Sequence, residues 1–181
     1  MNINTHEFIK LCLLYDKYLS ENRLLEFFKL EKENAEIYKQ YISLLCDQIH
    51  WEKANEYLKL VGSFVNNNIK ADEFQDQFYE LRRSAEDYYD QLLTQLKQEV
   101  QSGELIITEI AINPKSKGFA SVIVNYIFDL VELYDPDITF TENLQYPDSI
   151  YIAMSGPVLR ALIDEIVRPK LENYCTGGIN K

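Results

Sequence analysis

Apolar side chains recur at three- and four-residue intervals through the first hundred positions, the period of a helix with one buried face. Phe8, Leu11, Cys12, Tyr15, Tyr18 and Leu19 form the first stripe, and Asn4 and Glu7 have the spacing of a helix-start capping pair. Ser20-Glu21-Asn22 marks a break. Leu24, Leu25, Phe27, Phe28 and Leu30 follow, and then Ile37, Tyr38, Tyr41, Ile42, Leu45 and Ile49 give a second long stripe. A further helix is expected from Trp51 to about Val65, with Ala54, Tyr57, Leu58, Val61, Phe64 and Val65 inward. Asn66-Asn67-Asn68 is the clearest turn signal, because Asn tolerates the left-handed backbone that ends a helix. The next helix starts near Ala71 with Asp72 and Glu73 in its first turn, where acids complement the helix dipole. Phe74, Phe78, Leu81, Ala85, Tyr88, Leu92 and Leu96 carry its face toward Ser102-Gly103.

Beyond Gly103 the pattern changes. Leu105 to Ile112 is short and rich in β-branched residues, which fits either a strand or a short helix. Asn113 to Gly118 reads as a loop, and Val122, Ile123, Tyr126, Ile127, Leu130 and Val131 restore the helical stripe. Asp135-Pro136 should end that helix, since the residue before proline avoids the α region. Residues 136–154 read as irregular. Ser155 is placed to cap a last helix, with Val158, Leu159, Leu162, Ile163 and Ile166 inward. Pro169 is expected to close or kink it, and the Gly177-Gly178 tail to fray.

Charge narrows the range of partners. The 181 residues carry a formal net charge of -11, unevenly spread: residues 1–60 hold ten acids and eight bases, whereas 121–165 hold eight acids and only Arg160 as a base. Direct binding to nucleic acid or to anionic lipid needs a basic face, so both are disfavoured. Asp129, Glu132, Asp135 and Asp137 are four acids within nine residues with no base among them. They form either a solvated, solubilising face or a surface for a basic protein. No apolar run approaches the ~20 residues of a membrane span, and MNINTHEF lacks a signal-peptide pattern. Cys12, Cys46 and Cys175 are odd in number and far apart, as expected for free thiols. The expected location is the cytoplasm.

Catalytic and metal chemistry find little support. Cys46, Asp47 and His50 fall within about one helical turn, but a zinc site needs three or four matched ligands, and the chain has two histidines. Neither a nucleophile elbow nor a glycine-rich phosphate loop is present, and no cofactor is expected. The Lys115-Ser116-Lys117-Gly118 loop reads as a solvated turn. The protein is therefore expected not to be an enzyme.

Three segments resemble a known family. Tyr57 to Phe74, with Phe78 beyond, is similar to the opening helical hairpin of the colicin D immunity-like proteins: an aliphatic–Phe helix end, a short polar turn, then Ile69-x-Ala71-x-x-Phe74. Tyr126 to Asp137 resembles the family's third-helix end, which runs into a Tyr-x-Pro segment, and Ser155 to Ile163 resembles its closing helix. The pieces come in the family's order over about 57–167. Residues 1–52 are additional, 102–120 look inserted, and Asn67 stands where the family often has Gly. The resemblance implies an all-α protein, an antiparallel bundle with a four-helix core over 53–175, preceded by a helical extension over 1–52 packed on that core and followed by a tail over 176–181. It also implies an acidic inhibitor that blocks a basic ribonuclease toxin by placing carboxylates where RNA phosphates would lie. Asp129, Glu132, Asp135 and Asp137 are the candidate partner-binding residues. The other reading of the same residues is a helical scaffold or adaptor without catalytic activity.

Overall fold

The computed structural model describes residues 2–104, 106–137 and 153–176. The chain is helical almost throughout these residues. A short strand β1 (Asn2–Asn4) leads into α1 (Thr5–Ser20), α2 (Leu24–Leu30), α3 (Lys32–Glu52), α4 (Ala54–Val65) and α5 (Ala71–Ser102). Strand β2 (Glu109–Ala111) and a π-helical turn, Ala120–Val124, precede α6 (Asn125–Glu132). A helical run then extends through α7 (Gly156–Leu162), a second π turn (Ile163–Val167) and α8 (Arg168–Thr176). The expected all-α class holds; β1 and β2 form one antiparallel pair, with Ile3 opposite Ile110. The expectations for 138–152 and for the glycine tail lie outside the described residues.

The helix signals act where the sequence places them. The Asn4 side chain accepts the Glu7 amide at 3.0 Å, capping α1. Asn67 takes φ 60°, and the Asn68 amide closes back on the Ser63 carbonyl, so the Asn triplet ends α4 through a left-handed residue. At the start of α5 the Glu73 carboxylate accepts the Lys70 amide at 2.8 Å.

The chain divides into two units that interleave along the sequence. The first comprises Met1–Ile49 and Glu86–Lys117. Its core includes Ile3, Phe8, Ile9, Leu11, Phe27, Leu45 and Leu96, with Phe27 among the rings of Tyr15, Tyr18, Phe28 and Tyr38. The second comprises His50–Ala85 and Gly118–Lys181. Four helical segments build it: α4, the first part of α5, α6 with its π turn, and the run from α7 to α8. Phe64 stacks on Phe74 with centroids 4.3 Å apart, Phe78 also stacks against Phe74, and Tyr57 packs tilted against Phe78 and Phe119. Burying a Phe side chain is worth roughly 1.5–3 kcal/mol, so this aromatic cluster is a main source of the unit's stability.

Several details differ from the sequence-based expectation. Tyr88 is exposed while Ala85 and Leu96 are buried, so the apolar stripe of α5 does not follow one uninterrupted face. Leu25 and Leu30 are exposed, and Phe27 is the one fully buried residue of α2. Ser155 sits at the cap position of α7 but makes no capping hydrogen bond; its hydroxyl is buried without a partner. Pro169 does not close the last helix, which continues to Thr176. The π turn before it lets Arg168 donate to Ile163, which accommodates the widened ladder around a residue with no N–H. The buried stripe is Leu159, Ile163, Val167 and Leu171, and Val158 is exposed.

Candidate partner-binding face

The acidic candidates lie where α6 ends. Asp129 and Glu132 are three apart on α6 and both exposed. Asp135 is half-buried: its amide donates to the Met154 carbonyl at 3.0 Å, and its carboxylate accepts the Asp137 amide at 2.9 Å. Asp137 is exposed. The helix exit is held by a parallel bridge between Tyr134 and Met154 rather than by Pro136 alone.

The fold adds a partner element that the local sequence does not announce. Two tyrosines cross between α5 and the end of α6 in opposite senses. Tyr79 of α5 donates its hydroxyl to Glu132, and Tyr134 donates to Asp72 of α5 at 2.7 Å. Between them the Gln75 side chain donates to the Val131 carbonyl at 2.9 Å. Burial first, then the accepting carboxylate, pushes both phenols up to about 12, so each remains a donor across the physiological range. The crossed pair sets Glu132 and Asp72 in fixed positions, and Asp72 joins the four acids read from the sequence. Beside the clasp, the Arg82 guanidinium lies 3.9 Å over the Phe128 ring, and Tyr79 meets that ring edge-on. Tyr79, Tyr134 and Asp72 are 53 to 62 residues from their partners, and no short-range pattern connects them.

The other candidate chemistry is structural. His50 is buried, and its Nδ1 lies 3.0 Å from the Tyr57 hydroxyl. Burial, with smaller contributions from Arg82 and Lys53, lowers the ring to about 4, which keeps it neutral. Burial raises the Cys46 thiol to about 11, the opposite of a reactive thiolate. Among the described residues no group of three or more His, Cys, Asp or Glu is arranged to hold a metal. No helix among them is long and apolar enough to cross a membrane. Between α4 and α5 runs an open groove of about 480 Å³, with Leu60 and Leu81 among its lining and Glu56, Lys59 and Glu80 as its charged groups.

This hairpin is also where comparison with known proteins succeeds. Residues 53–102 match the family of bacterial self-protective colicin-like immunity proteins. The immunity match takes in α4, the Asn turn and α5, and so contains Asp72, Gln75 and Tyr79. It ends before α6, so Asp129, Glu132, Asp135 and Asp137 fall outside the matched segment. No curated protein and no solved structure matches the chain.

Proposed function

We propose that the protein is an immunity-type inhibitor that binds a toxin, and that the toxin is a basic nuclease. The observation that carries this reading is the immunity match over the α4–α5 hairpin, joined by two hydrogen bonds to the acid-rich end of α6. Asp129, Glu132, Asp135 and Asp137, with Asp72 held beside them, form the contact face. Carboxylates pre-positioned on a helical scaffold suit the cationic groove in which a nuclease holds phosphates. Their collective field speeds encounter, and occupation of the groove excludes RNA. The inhibitor acts by occlusion and needs no catalytic group, metal or cofactor. The excess of acids over bases also keeps the free inhibitor off nucleic acid.

The test begins with affinity capture from the native host and continues with the purified partner. Changing Asp129, Glu132, Asp135 and Asp137 together to Asn or Gln should slow association and flatten its salt dependence. Each exposed charge is worth up to about 1 kcal/mol, so a loss of tenfold or more in affinity is expected. A captured basic protein that binds the quadruple variant with unchanged affinity and unchanged salt dependence would assign the acids to solubility and refute the contact face.

A further inference from the structure

The first unit carries an open β edge. Strand β2 pairs with β1 on one side only, in the register Asn2–Ala111, Ile3–Ile110 and Asn4–Glu109. The Thr5 amide donates to the Thr108 carbonyl at 3.0 Å. In an antiparallel ladder, hydrogen-bonded pairs alternate with non-bonded ones. Thr5–Thr108 and Ile3–Ile110 are thus the bonded pairs, and the amides and carbonyls of Glu109 and Ala111 point to the opposite side. Both residues are exposed, and among the described residues no third strand pairs with them on that side.

Native edges are blunted by short strands, by charged side chains, by proline, by a bulge or by a covering element. Strand β2 is short and carries Glu109, but it has no proline within it. From Ile106 to Ile112 the chain reads I-I-T-E-I-A-I, with no proline, glycine or lysine. Its residues favour extended backbone. Ile106 is 82% exposed and Ile107 37%, so aliphatic surface lies beside the unpaired backbone groups. The charges on the N-terminal side of the edge are all acidic, Lys115 and Lys117 follow on its C-terminal side, and the Glu109 carboxylate accepts the Asn2 side-chain amide at 2.7 Å. Between Glu99 and Ala111 the ionisable groups are Glu99, Glu104 and Glu109, and Glu99 approaches the Ile106 amide at 3.5 Å.

We propose that the free edge of β2 docks an extended segment of a partner protein, one that alternates β-branched residues with lysine or arginine. The backbone groups of Glu109 and Ala111 supply the ladder, Ile106 and Ile107 supply apolar contact, and the carboxylates select basic flanks. A second copy of this chain fits less well, because it would bring the same acidic run against itself. This surface is independent of the acidic face at the end of α6, and either can fail without the other.

The probe is a blocked seven-residue peptide, KVTVKVK, in which valine alternates with lysine or threonine, added to the full-length protein. Hydrogen exchange at the amides of Glu109 and Ala111 should slow by on the order of tenfold at saturating peptide. The Ile110 amide, already turned to β1, should not change. Methylating alternate backbone nitrogens of the peptide should abolish binding in one phase and spare it in the other, since only one edge of the peptide faces β2. Glu109→Lys should weaken binding several-fold while leaving the circular dichroism spectrum unchanged. No slowing at millimolar peptide, or equal loss with both methylation phases, would overturn the proposal. So would sedimentation of the protein alone as a dimer whose formation protects the same amides, which would assign the edge to a second copy.

Discussion

Acidification should destabilise the protein through one imidazole. His50 is 9% exposed and bonded to Tyr57, and its ring is lowered from 6.5 to about 4. In the unfolded chain the ring takes up a proton below about pH 6.5; in the folded chain it does so only below about 4. Between those values the unfolded state binds more protons, so stability rises with pH and falls as pH drops through the window. The full difference corresponds to about 3 kcal/mol, of which about 2 kcal/mol is already lost at pH 5. The comparison is wild type against His50→Asn, with urea unfolding followed at several pH values from 7.5 to 4.5. The variant should be less stable at pH 7.5, because it loses packing against Tyr57, but its stability should fall less steeply with acid. Carboxylates that titrate in the same range are common to both proteins and cancel in the difference. The ring can also be read directly from its ¹³C-labelled NMR signals, which should hold the neutral shift down to pH 5. A His50 midpoint between pH 6 and 7, or parallel stability profiles for the two proteins, would refute the reasoning.

Two further predictions concern the packing of the second unit. Arg160 donates from Nε to the Phe64 carbonyl at 2.8 Å and from Nη2 to the Ile69 carbonyl at 3.2 Å, with its guanidinium 4.5 Å over the Phe64 ring. Arg160→Met should cost about 2–3 kcal/mol in thermal or urea unfolding, and Arg160→Lys should recover little of it, because an ammonium cannot reproduce the planar fork. A Cβ added at Gly156 would meet the Ala71 Cβ at 3.1 Å. Gly156→Ala should therefore cost about 1 kcal/mol, and a double-mutant cycle with Ala71→Gly should recover most of that penalty.

Much of the architecture was legible in the residues because helices are local objects. The three–four spacing that predicts α1, α3, α4 and α5 arises from a 3.6-residue turn, and the capping Asn4 and the Asn66–Asn68 turn act over a few bonds. The run from Leu105 to Ile112 left strand and helix open. Its three-residue strand depends on a partner more than a hundred positions away, Asn2–Asn4. The misplaced inward residues of the last helix have a similar origin. The π turn at Ile163–Val167 adds one residue to a turn, so beyond Ile163 the buried face continues through Val167 and Leu171 rather than Ile166.

The chain's own residues determined the helical class, the hairpin about the Asn triplet, the scarcity of bases between positions 121 and 165 and the lack of a metal-binding motif. Each of these is a sum over neighbours in sequence or a count of side-chain types. Tertiary structure decided which acids are held and by what. Asp129 and Glu132 share a face by helix geometry alone, but the hydroxyls of Tyr79 and Tyr134 reach Glu132 and Asp72 only because α5 and the end of α6 lie side by side. The neutrality of His50 is likewise invisible in the sequence, since the desolvation that lowers its proton affinity comes from burial, which no local pattern reports.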